Sequence, residues 1–579
     1  MKRNWVSVIV TIALCGVTVS GIAADRKRTV VSPSAVASMQ AATAQLTKIY
    51  SPAQLSNGVY VGSNFCLACH TTMSSYNNTL HASFIRRPLT QYSLQPGKGV
   101  IADFDKNGVD DFIQGVDFNK IASVFDKYKP NAPILSVESG NYFITVGSLK
   151  MQVVFTVAGM KGGSLAQRYV VRVPVSDTAN KLSAANYYGP FTFDPSTGYA
   201  VSSGWYDTTT FAPKFSAGIS SAALVASGGP SSHTSGCVGC HSTGLQSMSK
   251  TATGEAQATL YKEVLFASDD PTAVDYNGDG QMELMNIGCE ACHGPGSSHI
   301  IAAGDPTKIV NPATLKPAQQ AEICGQCHVT GKSVPTGTYN WPLNDATNTR
   351  WTPFDAKAGN PLKGFYTNNA KYWPDGTANG GRPYDQWVQS NHATFAPHTV
   401  GCPDCHDAHN EGQGMLIRQT SAGTVPLNTS AEDNTLCISC HATHGPFANF
   451  TRQDIADASA GKIDAVVKIS STVSAHTNHP YAPTRMMGLS NCTGCHMSSA
   501  SGHTFKAISP DATIKYADAQ YGTAGMANSC ANGCHNSRVD IFSLGVKNTS
   551  SYAAPWDVNL AKSLQKYYGE GGVWWNTKK

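Results

Sequence analysis

The most regular hydrophobic pattern of the chain lies in the segment "YFITVGSLKMQVVFTVAG". Met151, Val153, Phe155 and Val157 occupy every second position there, and a period of two is typical of a strand with one buried face. The segment "QRYVVRVPV" that follows is predicted to be a further strand. We therefore predict a small β-rich insertion at roughly residues 100–215.

Two other segments have recognisable patterns. In "PWDVNLAKSLQKYYG", the residues Val558, Leu560, Leu564 and the pair Tyr567 and Tyr568 have helical spacing. The stretch near 336–390 is rich in Pro, Gly, Asn and Trp, which favours a long ordered loop. The chain contains 53 Gly and 30 Pro. We therefore predict a mostly irregular, loop-rich fold with short helices beside the β-rich insertion, in the α+β class.

The N-terminus predicts export. Lys2 and Arg3 precede the apolar stretch "WVSVIVTIALCGVTV", and the small residues of "SGIAAD" allow cleavage after Ala24. This order is typical of a secretory signal peptide, here residues 1–24. The alternative is an uncleaved anchor, but the stretch is short for a membrane span of about 20 residues. We expect a mature chain without a transmembrane segment, in the periplasm or at the outside of the cell.

Composition adds one outlier, which is cysteine. The 579-residue chain has a formal net charge of +4, so charge gives no reason to expect nucleic acid as a partner. Cys15 lies in the predicted leader, and the other 16 of the 17 cysteines form eight pairs, each followed at once by His. The eight motifs are Cys66–Cys69–His70, Cys237–Cys240–His241, Cys289–Cys292–His293, Cys324–Cys327–His328, Cys402–Cys405–His406, Cys437–Cys440–His441, Cys492–Cys495–His496 and, with one extra residue between the cysteines, Cys530–Cys534–His535.

The fixed histidine decides between the chemistries of a cysteine pair. In C-x-x-C-H, the two thiols form thioethers with one haem and the adjacent His is the proximal ligand of its iron. Zinc sites do not require a His after every pair. Thioredoxin-like pairs occur singly, and a disulfide framework would not repeat a His at one offset eight times. We therefore predict eight covalently bound haem c groups.

Histidines outside the motifs are candidates for the distal ligands. Ten of the 18 His are not proximal, and we set aside His398 and His444 because each lies close to a stronger candidate. The distal candidates are His81, His233, His299, His392, His409, His476, His479 and His503. Iron with two imidazole ligands has no open position and generally a lower potential than iron with His and Met.

Two loops have a calcium-like pattern. Oxygen-bearing side chains alternate before a Gly, as in the first positions of an EF-hand loop. Neither loop has Glu at the twelfth position, and the alternative is a turn held by Asp and Asn side chains. The calcium candidates are Asp275, Asn277, Asp279 and Glu283 in one loop, and Asp103, Asp105, Asn107 and Asp111 in the other.

The order of the motifs resembles a known family. "GCVGCHSTGL", "IGCEACHGPGSSHI", "ICGQCH", "VGCPDCHDAHN", "NTLCISCHA", "NCTGCHM" with "GHTF" shortly after it, and "NSCANGCH" occur in this order, which resembles exported multihaem cytochromes c that are distantly related to the nitrite reductase and hydroxylamine oxidoreductase group. The resemblance implies distal roles for His81, His299, His409 and His503. The domains expected are a haem 1 module at 25–99, the β-rich insertion at 100–215, and a domain with haems 2–8 at 216–579.

Two functions follow from these expectations. The first is electron transfer between redox partner proteins, as a discrete carrier or as a self-associating subunit of a haem filament. The alternative is an oxidoreductase that acts on small nitrogen or sulfur compounds at one five-coordinate haem. The chain has no C-x-x-C-K motif, and its spare histidines outnumber the haems, so we favour electron transfer without a catalytic residue.

Overall fold

The described part of the chain has several gaps. The computed structural model describes residues 40, 43–88, 111–118, 130–161, 164–179, 181–194, 198–268, 270–379, 382–395, 397–409, 420–422, 425–427, 434–479, 492–498, 501–517, 525–533, 535, 556–569 and 572–573. The predicted leader 1–24, the calcium candidates Asp103, Asp105 and Asn107, and Cys534 lie outside the described residues, as does the side chain of Asp111.

A seven-stranded antiparallel sheet is the largest regular element described. Its strands are β1 (Ile85–Arg86), β2 (Ile134–Glu138), β3 (Asn141–Val146), β4 (Leu149–Lys161), β5 (Ser164–Arg172), β6 (Tyr187–Asp194) and β7 (Gly198–Val201). The order is β2-β3-β4-β5-β6-β7, and β1 pairs with β4 so that Ile85 lies opposite Val157. The two segments predicted as strands therefore lie in β3, β4 and β5.

A register shift in β4 divides its side chains between two cores. Met151 and Val153 are buried in one hydrophobic cluster, whereas Phe155 and Val157 are buried in another. The pairing of β4 with β5 shifts between Val153 and Phe155, and such a bulge reverses the face to which the following residues point. The second cluster also contains Val238 of the second cysteine motif, so the sheet positions that motif.

Short helices and two-stranded sheets make up the other regular elements. Three two-stranded antiparallel sheets pair Leu245–Lys250 with Ala256–Leu260, Gly331–Ser333 with Tyr366–Asn368, and Thr420–Ala422 with Val425–Leu427. The described α-helices are Pro52–Asn57, Ser63–Leu67, Leu80–Ser83, Asp111–Val116, Ser221–Ala226, His233–Gly236, Val238–His241, Cys289–His293, Ser297–Ile301, Pro317–His328, Pro353–Ala358, Pro383–Trp387, Asn391–Thr394, Cys402–Cys405, Thr435–His441, Arg452–Ser459, Ile463–Thr477, Cys492–His496, Pro510–Tyr516, Ser529–Gly533 and Val558–Tyr568.

Residues 43–49 are also helical. The described 3-10 helices are Thr71–Asn78, Pro306–Lys308, Pro312–Thr314, Leu362–Phe365, Gly445–Phe447 and Gly502–Thr504. The segment predicted as a long loop thus also contains short helices and a strand, which pack around the buried Trp351, whereas Trp341 is buried in the cluster that contains Phe155. The C-terminal helix Val558–Tyr568 buries Leu560 and Leu564. Among the described helices, none is both long and apolar enough to cross a bilayer.

The N-terminal segment is joined to the third motif by a buried carboxylate. Glu290, which is 1% exposed, accepts hydrogen bonds from the backbone N–H groups of Val61, Gly62 and Gly296 at 2.7–3.0 Å. Three donors compensate much of the cost of burying this side chain. The first and third motifs therefore belong to one packed unit.

Candidate cofactor-binding sites

Each described cysteine motif lies in a short helical turn or next to one. The backbone N–H of His70, His241 and His406 donates to the carbonyl of the first cysteine of the same motif, at 2.8, 3.0 and 2.9 Å. This i to i+4 bond is that of one α-helical turn. It holds both thiols and the imidazole of a motif on one compact element, as attachment to a single flat cofactor requires.

The thiols of different motifs lie next to one another. None of the 15 described cysteines is part of a disulfide bond. Four pairs of thiols from different motifs lie close together: Cys66 with Cys289, Cys240 with Cys327, Cys324 with Cys402, and Cys437 with Cys492. The motifs are therefore clustered in space, and those brought together are often not neighbours in the sequence.

Six imidazole couples each join a motif histidine to a histidine from elsewhere in the chain. Their ring centres lie 6.0–6.5 Å apart, and the angle between ring planes varies from 20° to 71°. The couples are His70 with His299, His328 with His81, His293 with His409, His441 with His392, His406 with His503, and His535 with His479.

The spacing of these couples fits two imidazoles on opposite sides of one metal ion. A bond of about 2 Å from each nitrogen to the metal, with each ring centre about 1.1 Å behind its nitrogen, places the centres roughly 6.2 Å apart. The angle between the ring planes is unconstrained, because each ring can rotate about its bond to the metal. The residues present therefore fit haem iron with two axial histidines.

Hydrogen bonds at the other ring nitrogen orient several of these histidines. Nδ1 of His293 lies 2.8 Å from the carbonyl of Val310, and Nδ1 of His496 lies 3.0 Å from that of Phe505. The distal candidate His299 likewise has Nδ1 2.8 Å from the carbonyl of Asp305. A carbonyl at Nδ1 fixes the tautomer in which Nε2 is left to bind a metal.

Burial keeps several of these imidazoles neutral. It lowers the pKa of His328 to about 3, with His81 acting in the same direction, and it lowers the pKa of His503 to about 4. Burial also lowers the pKa of His293 and His81. Neutral imidazole is the form that binds metal ions, so these sites do not depend on mildly alkaline conditions to hold iron.

The second motif departs from this geometry. Nε2 of His233 lies 3.1 Å from Nδ1 of His241, and the ring centres are 5.1 Å apart. His233 is fully buried, and its Nδ1 lies 3.4 Å from the hydroxyl of Tyr276. The hydroxyl of Tyr188 donates to the Cys237 thiol at 3.2 Å. This couple is therefore in hydrogen-bonding contact, with no room for a metal between the two nitrogens.

The remaining candidates lie around the sixth and seventh motifs. His476 packs its ring against Phe447, with centres 5.6 Å apart. Of the two histidines that were set aside, His444 has Nδ1 3.0 Å from the carbonyl of Ala442, and His398 is exposed. Burial lowers the pKa of His441, and the nearby His496 of the seventh motif and His444 lower it further.

One of the two calcium-like loops lies in the described part of the chain. Ligand atoms of Asp275, Asp279 and Glu283 lie within 4.8 Å of one another. The carboxylate of Asp275 accepts hydrogen bonds from the backbone N–H groups of Gly278, Asp279 and Gly280. Both glycines have positive φ, 75° and 82°, which favours Gly at these positions.

A lysine shares this carboxylate cluster. Nζ of Lys262 lies 2.6 Å from Asp279 Oδ2 and 2.5 Å from Glu283 Oε1. Asn277 donates to Asp279 through Nδ2 at 3.1 Å. A cation at the three carboxylates would therefore have to displace the ammonium group from at least two of them.

Sequence patterns did not indicate several residues around the motifs. Tyr568 donates to the carbonyl of Thr477 at 2.5 Å, and its oxygen lies 2.6 Å from Nδ1 of His479. The pKa of both thiols of the second motif is raised, for Cys237 mainly by burial, and the nearby Arg168, Arg350 and Arg382 offset part of this rise. Single tyrosines and arginines carry no spacing signal, although Tyr276 could have been noticed because it interrupts the polar calcium-like loop.

Comparison with known proteins gives one match. The family described as "Doubled CXXCH motif" matches residues 395–446. These residues carry a feature of multihaem c-type cytochromes. The CXXCH motifs indicate covalently bound haem c. No curated protein and no solved structure matches the chain.

Proposed function

We propose that the protein is an octahaem cytochrome c that transfers electrons between redox partner proteins. The observation that carries this proposal is the set of six imidazole couples at 6.0–6.5 Å, each containing the histidine of a haem motif. A haem iron between two imidazoles changes its valence without binding substrate. Several such groups in one chain conduct or store electrons.

The proposal assigns ligands by motif. The cysteine pairs attach the haems, and the adjacent histidines are the proximal ligands. His299, His409, His81, His503, His392 and His479 are the distal ligands of haems 1, 3, 4, 5, 6 and 8. His476 is proposed for haem 7, as the remaining distal candidate of the sequence in that part of the chain, and haem 2 is treated in the next subsection.

Contacts between motifs support a continuous path for electrons. Thiol contacts link motif 1 to 3, 2 to 4, 4 to 5 and 6 to 7. Cys292 lies near Cys324, which links motifs 3 and 4, and Cys437 lies near Cys405, which links motifs 5 and 6. Tyr568 lies near both Cys495 and Cys530, in motifs 7 and 8. Electron transfer slows steeply with distance, so adjacent attachment points favour conduction along the whole chain.

We also propose export and a structural calcium ion. Haem c proteins with several haems are typically exported, and the predicted leader agrees with a periplasmic or extracellular location. Calcium would be held by Asp275, Asp279 and Glu283, with Asn277 close by, and would fix the loop that carries Tyr276. Assembly into a haem filament stays a prediction of the sequence.

A redox titration tests the electron-transfer proposal. The anaerobic protein should take up eight electrons over a wide range of potential, because neighbouring haems titrate as a coupled set. Uptake of two electrons or fewer would contradict it, since that is the behaviour of one redox centre or one thiol pair.

A further inference from the structure

The contact between His233 and His241 differs in kind from the other histidine couples. In those couples, the ring centres of the motif histidine and its partner are far enough apart for both imidazoles to bind one metal ion between them. Here Nε2 of His233 meets Nδ1 of His241 at 3.1 Å. A proximal imidazole that binds iron through Nε2 carries its proton on Nδ1, so Nδ1–H of His241 donates to Nε2 of His233.

His233 thus takes the place that a backbone carbonyl takes at two other motifs. Val310 and Phe505 provide that carbonyl for His293 and His496. A partner at Nδ1 lies behind the proximal ring, whereas a sixth ligand must approach the iron from the opposite side. One imidazole cannot occupy both places.

The surroundings of His233 hold it in this position. Its backbone N–H donates to the carbonyl of Asn186 at 2.9 Å, and its ring packs edge-on against Phe155, with centres 5.1 Å apart. Its Nδ1 is left to donate to the hydroxyl of Tyr276 at 3.4 Å. Strand β4 provides Phe155, so the sheet fixes the imidazole. Among the described residues, the rings that contact His241 are those of His233 and Phe84, and Phe84 cannot bind iron.

We propose that His233 is the hydrogen-bond partner of the proximal ligand His241, and that the sixth position of the second haem iron binds a small anion. This inference rests on haem attachment at the second motif, which belongs to the proposed function. It goes beyond that function because it gives one of the haems an open position for a ligand.

The charges around the second motif select the class of ligand. Cys240 of the second motif lies against the fourth motif, with its thiol 3.8 Å from the carbonyl of Gln326. Arg382 donates to the carbonyl of Cys327 at 2.7 Å, and Arg350 donates to that of Ser242 at 3.3 Å. Arg168 lies over the ring of Tyr188 at 5.2 Å. Since Arg168 and Arg382 are exposed, their guanidinium groups can attract small anions such as nitrite from solvent.

Ligand counting on single variants tests the proposal. The fully reduced wild-type protein should bind one carbon monoxide per chain, and the oxidised protein should bind one nitrite. His233→Ala should leave the carbon monoxide count at one, whereas His299→Ala, the matched control at haem 1, should raise it to two. If the wild-type protein binds none and His233→Ala binds one, then His233 is a distal ligand and the proposal is wrong.

Two further readouts separate a structural effect from the proposed roles. His233→Ala should lower the iron–imidazole stretching frequency of the five-coordinate reduced haem, because His241 loses its hydrogen-bond acceptor, and His233→Gln should restore part of it. An unchanged frequency would contradict the hydrogen-bond role. Arg168→Gln combined with Arg382→Gln should weaken nitrite binding about threefold to tenfold and leave carbon monoxide binding unchanged. Equal losses for both ligands would contradict selection by charge.

The outcome can be distinguished from failure of the proposed function. Each variant is first checked by intact mass for its full set of haems. If the wild-type protein has the mass expected for eight haems and takes up eight electrons but does not bind carbon monoxide, then only the open position proposed at the second motif is wrong. If the haems are absent, the proposed function fails as well.

Discussion

His81 and His328 face each other with their ring centres 6.1 Å apart, although the first follows motif 1 and the second closes motif 4. His81 lies on the short helix Leu80–Ser83, which begins at Thr79 with a side-chain cap on the backbone N–H of Ala82. Two distant segments thus meet at one proposed iron. The ligation proposed for haem 4 would therefore depend on the docking of the N-terminal segment onto the rest of the chain.

Replacing His81 by Ala should open the sixth position of the fourth haem. The reduced variant should bind one more carbon monoxide per chain than the wild-type protein, and the potential of one haem should rise because an imidazole ligand is lost. His398→Ala is the matched control, since His398 is exposed, and it should change neither quantity. An unchanged carbon monoxide count in His81→Ala would contradict the assignment of this couple.

Calcium should stabilise the chain through the loop at 275–283. Adding calcium to chelator-treated protein should raise the melting temperature. At a calcium concentration of a hundred times Kd, binding should add about 2.7 kcal/mol to the free energy of unfolding. Asp279→Ala should abolish the effect, and Lys262→Gln should tighten calcium binding about tenfold by removing the competing ammonium group.

The control for the calcium experiment is Asp207→Asn. Asp207 caps the backbone N–H groups of Thr209 and Thr210 outside this cluster, so calcium should still stabilise that variant. If Lys262→Gln lowers stability and no calcium binds to it, then Lys262 is the permanent counter-ion of the three carboxylates and the loop is an ordinary turn.

Glu263 should make stability fall with rising pH. Burial raises the pKa of this carboxyl from 4.5 to about 8, although the backbone N–H of Leu265 donates to it. The folded state therefore retains a proton that the unfolded state has released between pH 4.5 and about 8. Stability from this group is fully present below pH 4.5 and declines up to pH 8, by at most about 5 kcal/mol.

Denaturant unfolding at pH 5 and pH 8.5 measures this effect. Glu263→Gln should remove most of the difference in unfolding free energy between the two conditions. Glu138→Gln is the control, because Glu138 is an exposed strand residue paired with Lys150 and its pKa is lowered. The same pH dependence in wild-type and Glu263→Gln proteins would show that Glu263 is not the group responsible.

Local features of this molecule follow from the sequence, and long-range ones do not. The spacing of Cys66, Cys69 and His70 is held within one helical turn, so a motif can be recognised from five letters. The alternation that ends in Val157 likewise predicts a strand. The couple of His328 with His81 depends on tertiary packing between distant segments, for which one sequence gives no signal.

Two further details depend on side-chain geometry. The bulge between Val153 and Phe155 divides β4 between two cores, and alternation of hydrophobic residues alone does not place it. Lys262 reaches the calcium-like loop from another part of the chain. The spacing of histidines along the chain also does not show that His233 and His241 are in hydrogen-bonding contact.

Intact mass of the purified, exported protein tests the central claim most directly. The mass should exceed that of the mature polypeptide by eight haem units, since every cysteine outside the predicted leader belongs to a motif. Replacing Cys402 and Cys405 by Ser should remove one unit. A mass that differs from the polypeptide only by bound zinc, or only by the hydrogens lost in disulfide bonds, would contradict the account.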